Sequence, residues 1–217
     1  MKGGNADGMP AACENADMPR ISAPNLREHR AQTVNRIIDA VARLSKDRGI
    51  DAISMTDVAA EAGVARTVLY NYFPDKAALL LAFSQRVTDY FVDLFEQDLP
   101  EGASAGSRLE SFVRLQLKGL VAHPHPGAAE ITAALGPDAY QALAGHVAPM
   151  HKILCEILAG GIESGEFRPL DVDAAARSVL AVIGAERIPL VGGAVTLEDA
   201  ERTVIAFVQG AVRAPGK

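Results

Sequence analysis

Four histidines in the middle of the chain are the first candidates for chemistry, because imidazole nitrogens bind metal ions. His123 and His125 alternate with prolines, and His146 and His151 follow further along. No cysteine or carboxylate lies at a familiar ligand spacing, and prolines between the imidazoles favour an extended loop. An interhelical loop is the simpler interpretation, and we expect no metal ion and no cofactor.

The two cysteines, Cys13 and Cys155, are the next candidates. They lie far apart in the sequence, which fits a reducing compartment better than a disulfide framework. Cys155 follows Ile153 and Leu154, so it is most simply a small buried apolar residue, with a redox sensor as the alternative. The sequence contains no nucleophile elbow, phosphate-binding loop or pair of catalytic carboxylates, and we expect no enzyme.

A third group of side chains lies between Gly63 and Pro74, where Arg, Thr, Tyr and Asn alternate with apolar residues. Arg66 carries the only formal charge of this segment, and a guanidinium in a major groove most often binds guanine through two parallel hydrogen bonds. Pattern alone leaves two possibilities open. The segment is either part of a DNA-binding helix-turn-helix or an ordinary helical hairpin with a glycine turn.

Helices must position these side chains. Apolar residues at helical spacing predict an amphipathic helix that begins at Leu26 and ends at Gly49, because glycine readily adopts the left-handed cap conformation. Ser54 and Asp57 have the spacing of a capping box and predict the start of a second, short helix. Gly63 ends that helix. The apolar residues expected to form a small three-helix core are Ile37, Ile38, Val41, Val58, Ala59, Ala62, Val64, Leu69 and Phe73.

The rest of the chain also has helical patterns. Asp75 precedes a long helix that is predicted to continue to about Gln97, before Pro100 and Gly102. Further helices are predicted at 104–122, 127–135, 137–144, 147–164, 171–189 and 196–212. Because no long alternating strand pattern and no repeat is present, we expect an all-α fold.

Composition and charge limit the function. The chain has 217 residues, 49% of them apolar, and no run of 18 consecutive apolar residues or secretory signal, so we expect a cytoplasmic protein without a membrane partner. Residues 1–25 have no apolar period and are predicted to be a flexible tail. The net charge is −6, but residues 20–90 carry ten basic and eight acidic side chains. Only this segment could attract phosphate.

The stretch from Ile37 to Phe83 resembles the N-terminal DNA-binding domain of the TetR family of transcriptional regulators. The matching motifs are Gly49 after the first helix, Ile53, Asp57-Val58-Ala59, Ala62-Gly63-Val64, Leu69-Tyr70, Tyr72-Phe73 and Asp75-Lys76 with Leu79. The resemblance implies a three-helix DNA-binding domain at 26–74 and a helical effector-binding and dimerisation domain at 75–217.

The resemblance also implies DNA contacts from the second and third helices. The corresponding residues are Thr56, Arg66, Thr67, Tyr70, Asn71, Tyr72 and Lys76. Arg66 is the first choice for reading a base, whereas hydroxyls and Lys76 suit phosphates. Asn71 either pairs with adenine or is only solvated.

The last two long helices are implied to pair with a second copy of the chain. Each carries an apolar stripe, one of Val172, Ala176, Val179, Leu180 and Ile183, the other of Leu197, Ala200, Val204, Phe207, Val208 and Ala211. Intramolecular packing of one stripe is the alternative. A homodimer would match a palindromic operator in double-stranded DNA.

The middle of the chain is implied to enclose an effector pocket. Candidate pocket residues are Phe112, Gln116, Tyr140, His146, Met150 and His151. No charge occurs between Ala139 and His151, so we expect an apolar or amphipathic effector. The sequence thus predicts a ligand-responsive transcriptional regulator, a repressor released by its effector. The alternative is an all-α protein that binds small molecules or metal without working DNA recognition.

Overall fold

The computed structural model describes residues 23–50, 52–123 and 137–214, with the backbone alone for residues 23–26 and 137–147. The helices in these ranges are α1 (Ala23–Arg48), α2 (Met55–Glu61), α3 (Arg66–Tyr72), α4 (Lys76–Asp98), α5 (Ala105–Ala122), α6 (Pro137–Glu163), α7 (Val172–Ala185), α8 (Arg187–Val191) and α9 (Leu197–Val212). The described ranges contain no strand beyond one antiparallel bridge between Phe167 and Arg213. The all-α prediction is confirmed.

The first three helices end and begin where the local sequence signals lie. Gly49 follows α1 with φ +76° and donates its N–H to the Ser45 carbonyl. Helix α1 begins at Ala23, before the predicted Leu26, because proline at position 24 is tolerated in a first turn whose N–H groups lack partners. The flexible tail was predicted at residues 1–25, and its residues 23–25 belong to α1 instead. Residues 1–22 of that tail and the predicted helix at 127–135 lie outside the described residues.

An N-terminal core holds α1, α2, α3 and the start of α4 together. Its buried members are Ile37, Ile38, Ala40, Val41, Leu44, Ile50, Ile53, Met55, Val58, Ala59, Ala62, Leu69, Phe73, Leu79, Leu80 and Phe83, with Val64 partly buried beside them. The predicted three-helix core is therefore present. Leu79, Leu80 and Phe83 extend it along α4, past the predicted boundary at residues 74 and 75, which stays a prediction.

A C-terminal core surrounds α5, which packs against α4, α6, α7, α8 and α9. Its largest fully buried side chains are Leu109, Phe112, Leu117, Leu154, Ile157 and Leu158. Val87 of α4 packs against both this core and the N-terminal core. Helix α4 therefore connects the two hydrophobic cores.

Two predicted helix boundaries are wrong, and proline explains both. The segments 137–144 and 147–164 form one helix, α6, because Pro149 removes only one main-chain hydrogen bond while the residues after it, among them Met150 and Leu154, are buried. The predicted helix 171–189 divides after Ala185, since the Pro189 ring would clash with the Ala185 carbonyl in a continuous helix. No helix in the described ranges is long and apolar enough to span a bilayer.

Candidate nucleic-acid interface

The turn between α2 and α3 has a defined geometry. The Ser54 hydroxyl accepts the Asp57 N–H, and the Asp57 carboxylate accepts the Ser54 N–H, which completes the predicted capping box at the start of α2. The Ser54 hydroxyl also donates to Asp57 Oδ2 over 2.6 Å, and this bond, followed by the one from the Ser54 N–H, lowers the pKa of Asp57. Gly63 has φ +65°, a conformation that favours glycine, and reverses the chain after α2.

Helix α3 is anchored on one side only. Leu69 is fully buried beneath it, and Phe73 at its end is 7% exposed. On the opposite side, the Arg66, Thr67 and Asn71 side chains are exposed to solvent. The division into an apolar inner face and a polar outer face is the one that a DNA-reading helix requires.

Arg66 and Tyr70 interact along the outer face of α3. The Arg66 guanidinium lies over the Tyr70 ring, 5.5 Å from its centroid, and its Nη2 donates to the Tyr70 hydroxyl over 3.4 Å. Tyr70 is 39% exposed. The Tyr70 hydroxyl accepts from one nitrogen of a guanidinium that carries five N–H donors, so the other N–H groups of Arg66 remain able to bind an acceptor.

The remaining predicted contact residues are placed differently. Thr56 is exposed at the start of α2. Tyr72 is half-buried, and the guanidinium of Arg30 from α1 lies 5.1 Å from its ring centroid. The Lys76 ammonium donates to the Ile50 carbonyl over 2.9 Å, which ties the start of α4 to the loop after α1. Of the seven predicted residues, only Tyr72 and Lys76 are therefore partly buried.

Ion pairs neutralise several cations of the N-terminal helices. These pairs are Arg43 with Glu61 at 2.6 Å, Arg48 with Asp57 at 3.8 Å and Arg86 with Asp39 at 2.7 Å. Within the part of the chain that the structure describes, Arg30 and Arg66 form no ion pair. Arg30 was not predicted as a contact residue, because its place beside α3 depends on how α1 folds back against it.

The predicted effector residues fall partly inside the C-terminal core. Phe112 is fully buried, Met150 is 5% exposed and the Gln116 amide is 7% exposed among apolar neighbours. Tyr140 and His146 were also predicted to line the pocket, but only their backbone is described.

His151 lies beside Cys155 rather than in the core. Its Nε2 is 3.2 Å from Asp173 Oδ1, and the Cys155 sulfur is 3.7 Å from Nδ1 and 3.9 Å from Nε2. Because the sulfur is almost equally far from both nitrogens, it is not aligned with either one. Burial raises the pKa of the Cys155 thiol, which favours its unreactive form.

No group of three metal-ligating side chains occurs in the described ranges. His123 contacts the Tyr90 ring, 4.0 Å between centroids. His125 lies outside the described residues.

The two predicted apolar stripes divide between the interior and the surface. Ala176, Val179, Ile183, Ala200, Val204 and Val208 are buried within the chain. Val172, Leu180 and Leu197 are half-buried, and Ala211 is exposed. Phe207 on α9 is 62% exposed. On α8, Ile188 is 69% exposed and Val191 is 41% exposed. We call these last three residues the exposed apolar patch.

Family models identify the class to which this architecture belongs. The model of bacterial regulatory proteins of the tetR family matches residues 37–83, and a model of the tetracyclin repressor-like C-terminal domain matches residues 105–205. Together the two segments cover more than half of the chain. The protein belongs to the TetR family of transcriptional regulators, which are not enzymes. The resemblance seen in the sequence is confirmed.

Curated relatives are similar over different lengths. A fatty acid metabolism regulator protein of Bacillus subtilis is 28% identical over 68% of this chain and 78% of its own length. An uncharacterized HTH-type transcriptional regulator of Haemophilus influenzae is 34% identical, but the match spans 35% of this chain and 41% of that protein. The match to the second relative therefore concerns less than half of it.

Solved structures share the fold at low identity. A putative TetR-family regulator from Rhodococcus sp. has a TM-score of 0.72 at 21% identity and covers 84% of this chain and 100% of its own. FadR of Bacillus subtilis in complex with stearoyl-CoA has a TM-score of 0.67 at 20% identity, covering 85% of this chain and all of its own. A regulator from Saccharomonospora viridis in complex with choline has a TM-score of 0.68 at 22% identity, with the same coverage.

Proposed function

We propose that the protein is a cytoplasmic, homodimeric repressor that binds a palindromic operator through α2 and α3 and is released by an amphipathic effector. The observation that carries this proposal is the outer face of α3, where Arg66 lies exposed and stacked on Tyr70 while Leu69 and Phe73 hold the helix from below. Such a helix can enter a major groove without losing its own packing.

Within this proposal the outward residues have separate roles. Arg66 binds guanine through its free edge, because Tyr70 restricts the guanidinium before DNA arrives. Thr56, Thr67 and Tyr70 present hydroxyls to phosphates or a thymine methyl group. Asn71 is exposed one helical turn after Thr67, and its amide either pairs with an adenine or is only solvated.

Tyr72 and Lys76 act near the rim of this surface. Tyr72 is half-buried, and the Lys76 ammonium already donates to the Ile50 carbonyl. We therefore assign Lys76 to holding the domain together as well as to adding positive charge beside the DNA.

The homodimer is proposed to form through the exposed apolar patch. Phe207, Ile188 and Val191 lie on the final helices, in a part of the chain whose other apolar side chains are mostly buried. Large apolar side chains left exposed mark association surfaces. A twofold symmetric dimer places two copies of α3 at half-sites roughly 34 Å apart or a multiple of that distance.

The effector is proposed to carry an acyl chain and an uncharged hydrogen-bonding group. Phe112 and Met150 offer an apolar lining, and the Gln116 amide offers a polar anchor. A relative of this chain regulates fatty acid metabolism, and a structural neighbour binds stearoyl-CoA. The choline complex of another neighbour shows that the fold also accepts cations, so effector class needs its own test.

Helix α4 offers a route for release. Val87 packs against both hydrophobic cores, so a shift of α4 at the effector site changes the position of α3. An effector that prefers the non-binding arrangement by about 1 to 3 kcal/mol is sufficient for regulation.

The test is selection of bound fragments from a random duplex library at near-physiological salt. The parent should enrich an inverted repeat, and the Arg66→Ala/Tyr70→Ala double variant should enrich nothing while it remains folded. As a matched control, Arg36→Ala removes an exposed charge on α1 and should enrich the same repeat. If the double variant selects the same sequence as the parent, the assignment of α3 is wrong.

The selected duplex then provides the assay for the effector. Release of labelled duplex is measured with long-chain acyl-CoA, free fatty acid and choline added separately. Release by the acyl compounds alone supports the proposed class, and release by choline alone contradicts it.

A further inference from the structure

The contact between α1 and the end of α3 carries a further inference, which rests on the proposed DNA binding. Arg30 of α1 lies over the ring of Tyr72, the last residue of α3, at 5.1 Å from its centroid. Arg66 makes the corresponding contact with Tyr70 within α3. Two guanidinium groups therefore lie over aromatic rings of the same short helix.

The positive charge of Arg30 has no carboxylate partner inside the described part of the chain. Arg43, Arg48 and Arg86 are each paired with a carboxylate, but Arg30 forms no ion pair there. Its acidic neighbour Glu28 accepts a hydrogen bond from Gln32. Arg30 is exposed, so its positive charge faces solvent next to α3.

The stacking geometry suits an oxygen anion. The Tyr72 ring holds the guanidinium without supplying an oxygen acceptor. The N–H donors of Arg30 therefore remain available to two oxygens of a phosphate. Tyr72 is half-buried, so the ring that carries the cation is itself held in place.

The position along α3 decides which part of DNA is reached. In a helix-turn-helix the N-terminal residues of the second helix contact base edges. Arg30 lies at the opposite end of that helix, where the groove wall is formed by the sugar-phosphate backbone. We propose that Arg30, held on Tyr72, binds a backbone phosphate of the operator and thereby fixes the angle at which α3 enters the groove.

This role predicts a sequence-independent contribution to binding. Phosphate contacts release counterions, so each lost contact lowers the slope of log K against log salt by about 0.9. Arg30→Gln should reduce that slope by about this amount for each half-site, and should weaken binding to the selected repeat and to a scrambled duplex by the same factor. Arg30→Lys keeps the charge and should retain most of the slope.

The control is Arg36→Gln, which makes the same charge change on another face of α1, among the side chains of His29, Thr33 and Asp39. Binding is measured by fluorescence anisotropy at several salt concentrations, and folding is checked by thermal melting. A reduced slope for Arg30→Gln but not for Arg36→Gln supports the inference.

Two results would overturn it and are distinguishable. If both glutamine variants have the same slope and the parent still selects an inverted repeat, the phosphate contact of Arg30 is wrong and the proposed function stands. Failure of the parent to select any duplex removes the proposed function, and the phosphate contact with it.

Discussion

The ring of Phe91 fills the space beside Gly119 that a side chain would need. A Cβ atom built on Gly119 would lie 2.3 Å from Phe91 Cε1 and 2.7 Å from Cζ. Phe91 is on α4 and Gly119 on α5, so these helices approach each other more closely here than any other residue would allow. The contact fixes α4, the helix that connects the two hydrophobic cores.

Replacement of Gly119 by alanine should therefore destabilise the protein. In an open helix, Gly→Ala raises the free energy of unfolding by up to about 1 kcal/mol. Here overpacking against Phe91 should reverse the sign and cost about 1 to 3 kcal/mol. Gly160→Ala is the matched control, because no atom lies within 4 Å of its added Cβ. Urea unfolding followed by circular dichroism measures both, and equal stabilisation of the two variants would contradict the model of close packing.

Glu166 predicts a pH-dependent contribution to stability. Its carboxylate accepts hydrogen bonds from the N–H groups of Gly106 and Ala105 at the start of α5, and these bonds lower its pKa below the ordinary value of a glutamate. A carboxylate with a lowered folded-state pKa stabilises the fold above its unfolded pKa, and this stabilisation is lost as pH falls through the folded value.

Glu166→Gln should lower the melting temperature at pH 7, and the difference from the parent should shrink as pH falls below 4.5. Melting curves between pH 3 and pH 7 test this expectation. Glu163→Gln on the same turn region is the control, because Glu163 makes no bond to α5 in the described structure. A difference for Glu166→Gln that stays constant with pH would show that the carboxylate is not the source of the effect.

The exposed apolar patch predicts the oligomeric state. Phe207→Glu places a charge where Phe207 is 62% exposed in the single chain, so the variant should fold, but a buried charge in the proposed dimer should separate the protomers. Analytical ultracentrifugation should find a dimer for the parent and a monomer for the variant, with weaker operator binding. Val121→Glu is the matched control, since Val121 is 45% exposed on α5. A dimeric Phe207→Glu variant would place the interface elsewhere.

Local signals predicted much of the N-terminal fold. The cap at Ser54, the reversals at Gly49 and Gly63 and the start at Asp75 all depend on residues a few positions apart, and the structure contains each of them. The apolar periodicity likewise predicted the N-terminal core. Where proline competes with tertiary packing, as at Pro149 and Pro189, a local rule could not decide the outcome.

The candidate site was less predictable because it depends on contacts between distant segments. Spacing alone placed Arg66 and Tyr70 on one face of α3, since they are one helical turn apart. The Arg30 contact with Tyr72 and the Lys76 bond to Ile50 require α1 to fold back on the other helices. The apolar periodicity of α9 also did not show that Val204 is buried and Phe207 exposed. Both residues belong to one broad apolar stripe, and the sequence does not show which part of the stripe packs inside the chain.

Gln116 links stability to effector binding. Its amide is 7% exposed beside the C-terminal core. An amide that the effector satisfies is unpaired in the empty protein, and leaving a buried polar group unpaired costs about 1 to 3 kcal/mol. On the proposed role, Gln116→Leu, which has a similar size, should therefore raise the free energy of unfolding of the empty protein by roughly that amount.

The same substitution should weaken release by the effector, because leucine cannot replace the lost hydrogen bond. Urea unfolding measures the first effect, and displacement of labelled operator by acyl-CoA measures the second. Gln116→Glu is informative as a comparison, since a buried carboxylate should destabilise the fold instead. If Gln116→Leu is less stable than the parent, the amide has a partner in the folded protein. If it is more stable and responds to effector as before, the amide is unpaired but does not bind the effector.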